Sequence, residues 1–176
     1  MNNMSFNHIP IGDKTPEIVN AVVEIPKGSH NKYEYDEDLE AIKLDRILHS
    51  PVYYPTDYGF IPQTRSEDGD HLDVLLIISE PVFPGCVVEV RPVGVLYMED
   101  EAGKDEKIIA VAVNDPLLTR IKDVGDIDDF FKKEIHHFFE VYKALEKKKV
   151  KVHYWHAKEV AYTIISAAVE RFLKEK

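Results

Sequence analysis

The stretch Ser66-Glu67-Asp68-Gly69-Asp70-His71-Leu72-Asp73 runs straight into Val74-Leu75-Leu76-Ile77-Ile78. No other junction constrains the chain as much. The apolar run has the composition of a buried strand, and three aspartates stand directly against it. Like charges beside a core repel one another and lose hydration unless a cation joins them. Aspartate oxygens are hard ligands, and Gly69 lets successive side chains converge, so Mg2+ or a similar divalent ion suits the stretch. A bare Asp-Gly-Asp is more readily a turn that caps a strand. Asp73 changes that reading, because it already lies on the apolar side of the turn. An EF-hand does not fit: the glycine and carboxylate positions differ from its loop, and a strand follows where a helix should.

Strand candidates are residues 18–25, closed by the turn 26–29, then 32–35, 42–48, 74–78, 87–98 with an interruption at Pro92, 107–113 and 150–155. Residues 51–62 are rich in tyrosine and proline and are expected to be irregular. Helices come late. Phe130, Phe131, Ile135, Phe138, Phe139, Tyr142 and Leu145 recur at helical spacing, with Asp126 or Asp128 as the cap. An apolar stripe from Val160 to Leu173 predicts a C-terminal helix. No repeat or linker divides the 176 residues. The expectation is one domain, 1–176, mainly β with α (an α+β fold): a meandering sheet closed into a barrel with two helices packed on it.

Parity places charges on faces that should be core. Lys32 and Glu34 share one side of their strand, opposite Tyr33 and Tyr35. Arg46 shares a face with Ile42, Leu44 and Leu48; Asp73 with Leu75 and Ile77; Asp105 and Lys107 with Ile109, Val111 and Val113. Burying unpaired charge costs several kcal/mol, so these groups should meet one another, a metal or a ligand. Lys32, Arg46, Lys107 and Lys143, with the hydroxyls of Tyr54, Tyr58 and Tyr142, form a donor set suited to phosphate oxygens. Asp68, Asp70, Asp73, Asp100, Glu101 and Asp105 suit several hard metal ions. Metals beside a cationic cradle are what phosphoryl transfer to water requires. Taken singly, Tyr142 is as well explained as core and Lys143 as a helix-end charge that complements the dipole.

A net charge of −10 argues against nucleic-acid binding, which relies on Lys and Arg displacing counterions. No run approaches the roughly 20 apolar residues of a membrane span. The N-terminus lacks a basic segment followed by an apolar one, and the single cysteine, Cys86, excludes an internal disulfide; both fit a reducing, cytoplasmic setting. Lys147, Lys148 and Lys149 are expected to be a solvated helix end. His136 and His137 lack a partner at helical spacing and are expected at the surface or at a subunit contact. Two specific readings stay open: a nucleoside di- or triphosphate hydrolase, which needs a base-stacking pocket, and a non-catalytic barrel that binds nucleic acid, which needs excess basic charge.

Ordered matches carry a resemblance through nearly the whole chain. They are Val23-Glu24-Ile25-Pro26, Asn31-Lys32-Tyr33-Glu34, Asp45-Arg46, Tyr54-Pro55-Thr56-Asp57-Tyr58-Gly59, Asp68-Gly69-Asp70-His71-Leu72-Asp73, Arg91-Pro92-Val93-Gly94, Asp100-Glu101-Ala102-Gly103, Asp105-Glu106-Lys107 and His137-Phe138-Phe139-Glu140-Val141-Tyr142-Lys143. On these residues the chain resembles the soluble inorganic pyrophosphatases of the bacterial, family I type. The resemblance implies a five-stranded, OB-like closed β-barrel, hydrolysis of pyrophosphate to two orthophosphates, and several Mg2+ ions, with Mn2+ as an alternative. It implies that Asp68, Asp73 and Asp105 hold the tightest metal, and that Asp100, Glu101 and Glu34 serve metals arriving with substrate. Asp70 would touch the metals and accept the proton of the attacking water. Lys32, Arg46, Tyr58, Lys107, Tyr142 and Lys143 would hold the phosphoryl groups, supported by Tyr54 and Glu24. Bacterial members are usually hexamers, and His137 matches a contact position. One residue departs: the family signature has proline where this chain has His71. The three aspartates are retained, so His71→Pro is expected to be tolerated, with a gain of roughly 0.4–1 kcal/mol if the backbone suits proline.

Overall fold

In the computed structural model, residues 6–101 and 103–175 are described. Strand β1 (Val19–Ile25) pairs with β4 (Asp57–Ile61), β4 with β5 (Leu72–Ile77), β5 with β7 (Gly103–Ala112), β7 with β6 (Val87–Asp100), and β6 returns to β1. Those five strands form a closed ring, antiparallel except where β5 meets β7 in parallel. This is the five-stranded, OB-like closure expected. Strand β8 (Lys151–Ala157) extends the sheet from β6, and β2 (Asn31–Asp36) with β3 (Ala41–Ile47) makes a separate hairpin.

Two helices cover the ring's two apolar faces. Helix α1 (Asp129–Val141) packs Ile135, Phe138 and Phe139 against Leu75, Ile77, Ile109 and Val111. Helix α2 (Lys158–Lys174) lies mainly against β6 and places Ala161, Ile165 and Ala168 in the cluster that also holds Val74, Leu76, Ile108 and Ala110. The alternation along β5 and β7 is what lets one strand serve both helices. Asp128, not Asp126, caps α1, accepting from the N–H groups of Phe130 at 2.9 Å and Phe131 at 3.1 Å. The helix ends before Leu145, which is 65% exposed, and Phe130 is 69% exposed, so neither belongs to the buried stripe.

Three local expectations are corrected. Residues 51–62 are not irregular throughout: Asp57–Ile61 is a fully buried strand of the ring. Gly59 makes it possible, since a Cβ there would lie 1.9 Å from the Val22 carbonyl oxygen on β1. Strand β6 runs through Pro92, with a register shift between Pro92 and Gly94 that accommodates the missing donor. Strand β3 is not part of the ring, and Leu44 and Ile47 on it are exposed. Between Lys32–Arg46 and Tyr33–Leu44 its register slips, leaving Asp45 as an extra residue. The parity that put Arg46 on a core face therefore fails; Arg46 is half-buried for a different reason.

Candidate active site

An open cleft of about 730 Å3 lies where the β2–β3 hairpin faces the ring. Strand alternation delivers its floor. On β5 the face of Leu75 and Ile77 continues to Asp73; on β7 that of Ile109 and Val111 continues to Lys107 and Asp105; on β6 that of Leu96 and Met98 continues to Asp100. Tyr58 enters from β4, directly opposite Leu75 on β5. Glu24 enters from β1 at the register shift between Val23 and Ile25, which turns an otherwise buried strand position toward the cleft.

Lys107 is the centre of the floor. Its Nζ donates to Asp73 Oδ2 at 2.5 Å and pairs with Asp105 Oδ1 at 2.6 Å, and the ammonium lies 5.5 Å from the Tyr58 ring centroid. Burial opposes its charge, but Asp73, Tyr58 and Asp105 hold the ammonium well above the usual lysine range. Lys143, just past α1, donates to Asp100 Oδ2 at 2.8 Å. Its burial is likewise outweighed, by Tyr142 and Asp100. Tyr58 and Tyr142 are pushed up by burial, which keeps both hydroxyls protonated and able to donate.

The opposite wall is the hairpin. Lys32 pairs with Glu34 and with Asp45 Oδ2, the latter at 3.3 Å; burial lowers its pKa. Arg46 donates to Asp45 at 2.5 Å and through Nε to Glu146 Oε1 at 3.0 Å, while its Nη2 is buried with no hydrogen-bond partner. A buried guanidinium N–H left without an acceptor costs on the order of 1–3 kcal/mol, and a phosphoryl oxygen in the cleft would supply one. Glu24 accepts from the Tyr35 N–H at 2.6 Å, and burial raises its carboxyl to about 8.

The acidic turn closes the third side. Gly69 takes φ +93°, and Asp68 Oδ1 accepts the Asp70 N–H at 3.0 Å. Asp70 stands at the mouth; crowding by the cleft walls, then the charges of Asp68 and Asp73, raise its proton affinity. His71 is held on several sides. Its side chain is 7% exposed, and the ring stacks on Phe60 with centroids 4.7 Å apart and planes 13° apart. Burial and the Arg65 guanidinium push its pKa down. Nε2–H donates to Glu37 at 2.9 Å, and Nδ1 lies 3.1 Å from both the Thr64 carbonyl oxygen and Arg65 Nη1. Proline could make none of these contacts, so substitution by proline should not be free.

Most of the candidate residues thus meet around one cleft. Tyr54 does not line it: 2% exposed, it packs behind Tyr58, with ring centroids 5.7 Å apart. Glu101 also stays outside, pairing with Lys148 at 3.0 Å. His136, expected to lack a helical partner, pairs with Glu140 at 3.4 Å. Asp45, Glu146, Glu37 and Arg65 were not foreseen as site residues. Glu146 is a hundred positions from Arg46, and only the adjacency of Asp45 to Arg46 gave any local signal.

Among the described residues, no three His, Cys, Asp or Glu side chains already converge closely enough to hold an ion. The donor set nevertheless fits a hard divalent cation. It is all oxygen, and Asp73 and Asp105 are brought together around a single positive charge, that of Lys107.

The chain matches the family model described as inorganic pyrophosphatase over residues 21–173. It is 54% identical over 171 residues to the inorganic pyrophosphatase of Thermus thermophilus, covering 96% of this chain and 98% of that protein. The crystal structure of inorganic pyrophosphatase from Thermus thermophilus superposes with a TM-score of 0.94 at 51% identity, covering 96% of this chain and 99% of that one. An N-terminally truncated Trypanosoma cruzi vacuolar soluble pyrophosphatase, solved in complex with PPi, superposes with a TM-score of 0.84 at 25% identity over 96% of this chain and 78% of that one.

Proposed function

The chain belongs to the inorganic pyrophosphatase family and is an enzyme that hydrolyses pyrophosphate, and we propose that it does so in the cleft between the β2–β3 hairpin and the ring. The observation that carries this reading is Lys107, held between Asp73 and Asp105 at 2.5 and 2.6 Å. It puts a cationic phosphate donor and hard-metal ligands at one point.

Asp68, Asp73 and Asp105 would hold the first divalent ion, Mg2+ or Mn2+, and Asp100, Glu101 and Glu34 those that come with substrate. Bound there, such ions neutralise phosphate charge and lower the pKa of water. Asp70 accepts the proton of the attacking water, a role its raised proton affinity suits. Lys107, Lys143, Tyr58 and Tyr142 donate to one phosphoryl group, and Lys32 and Arg46 on the hairpin hold the other. In doing so, Lys143 and Lys32 exchange carboxylate partners for phosphate oxygens, which releases Asp100 and Glu34 toward metal. Tyr54 and Glu24 support these groups from behind. We further propose that residues 1–176 form a single domain of a cytoplasmic homo-oligomer, a hexamer by resemblance, with the exposed His137 of α1 at a contact.

The test is phosphate release from pyrophosphate with Mg2+, stopped by chelator and restored by excess Mg2+. ATP should compete poorly. Metal-replete, folded protein that releases no phosphate would overturn the reading.

A further inference from the structure

The acidic turn is tied to the β2–β3 hairpin by groups that the hydrolytic reading leaves without a task. Glu37 stands just past β2 at the hairpin tip. Its carboxylate accepts His71 Nε2–H at 2.9 Å and the Arg65 guanidinium through Nη1 at 3.2 Å and Nη2 at 3.4 Å. His71 lies flat on Phe60, which also stacks with Tyr35 of β2, with ring centroids 5.6 Å apart. Arg65 is anchored at the far end, lying 5.3 Å from the Phe172 ring of α2 and donating to Glu175 at 2.9 Å. Its backbone N–H donates to the Ala168 carbonyl at 2.9 Å.

These contacts grip the turn at both ends. Arg65 precedes it, and His71 sits between Asp70 and Asp73. Within the turn, the hydrogen bonds are local: Ser66 N–H to Asp70 O at 2.8 Å and Gly69 N–H to Ser66 O at 3.2 Å. Such bonds hold the shape of a turn but not its placement against the opposite wall.

We propose that Glu37, Arg65 and His71 are positioning residues that clamp the acidic turn to the hairpin and so set where Asp70 and Asp73 present their oxygens. They touch neither substrate nor metal and act through the main chain on either side of His71. The proposal rests on the hydrolytic reading only for one of its two readouts.

The test uses the full chain, with calorimetric titration of Mg2+ in the absence of substrate and, beside it, the Mg2+ dependence of pyrophosphate hydrolysis. Glu37 is 41% exposed, so Glu37→Ala should fold. It should weaken Mg2+ binding about tenfold and raise half-saturating Mg2+ to match, with KM for pyrophosphate at saturating Mg2+ unchanged. Glu37→Gln keeps an acceptor oxygen and should recover most of the loss. In a His71→Pro background, where the ring fixes the backbone without a partner, adding Glu37→Ala should cost less than about twofold. Mg2+ binding by Glu37→Ala within about twofold of the parent overturns the proposal, as do losses that simply multiply in the double variant. If His71→Pro does not fold, His71→Ala replaces it in the cycle. A parent protein that binds Mg2+ but releases no phosphate overturns the hydrolytic reading instead, and the calorimetry still decides the clamp.

Discussion

The acidic turn between β4 and β5 and the one between β6 and β7 both carry carboxylates to the same cleft, yet they are held in contrasting ways. Behind the first stands Thr64, fully buried, whose Oγ1 accepts the Leu72 N–H at 2.9 Å and donates to the Ile61 carbonyl at 2.6 Å. The second is the end of a long ladder, closed at the Asp100–Gly103 pair with Gly103 at φ +118°. Its ties are ion pairs, Asp100 to Lys143 at 2.8 Å and Glu101 to Lys148 at 3.0 Å, the latter about half-exposed on both sides. Exposed pairs of that kind contribute roughly 0–1 kcal/mol. The first turn is ion-paired too, through Asp73 to Lys107 and through Glu37 to Arg65 and His71, but its base is also held by buried hydrogen bonds, and these do not rearrange when an anion arrives. On the proposed reading, the first turn, with Asp105, would offer a metal position before substrate binds, and the second would become available as phosphate recruits Lys143.

The largest effect expected is on Asp70. Asp70→Asn should lower kcat by about 10²–10⁴, with the melting temperature close to that of the parent. Near-normal kcat would place the proton acceptor elsewhere and remove the chemical asymmetry between the turns. Next is Lys107→Met, which leaves Asp73 and Asp105 facing each other without their shared cation. Breaking a buried pair costs about 3–5 kcal/mol, read as a lower melting temperature in chelator. Mg2+ should restore part of the loss, and equal melting with and without Mg2+ would count against the metal site.

Thr64→Val is smaller and tests the brace itself. It leaves the Leu72 N–H buried without an acceptor, for about 1–3 kcal/mol in denaturant unfolding, and should weaken Mg2+ binding by the first turn. Unchanged Mg2+ affinity would mean that the turn does not depend on its buried support. Smallest is Glu101→Gln. Thermal stability and substrate-free Mg2+ binding should stay as they are, while the Mg2+ requirement during turnover rises.

The sequence revealed more of the floor than of the walls. Asp73, Asp105 and Lys107 sit where period-two alternation put them, because β5 and β7 are regular strands with an apolar face that ends in charge. Strand β4 was hidden by Pro51, Pro55 and Gly59, whose local preferences are overridden by close packing against β1. Arg46 was placed in the site on a parity that the slip at Asp45 destroys; its long side chain and the distant Glu146 bring it there instead. Glu37 and Arg65 gave no periodic signal, since their task depends on a hairpin tip meeting a loop from another part of the chain. His71 stood out only as a departure from a resemblance, and its stacking on Phe60 could not be read from neighbours in sequence.

The central claim, that one acidic turn is ready for metal and the other waits for substrate, is tested most directly by Mg2+ calorimetry on Asp105→Asn and Glu101→Gln, with and without imidodiphosphate as a slowly hydrolysed analogue. The account predicts that Asp105→Asn abolishes binding in both conditions, whereas Glu101→Gln loses Mg2+ only when the analogue is present. Substrate-free binding that is insensitive to Asp105→Asn but lost in Glu101→Gln would contradict it.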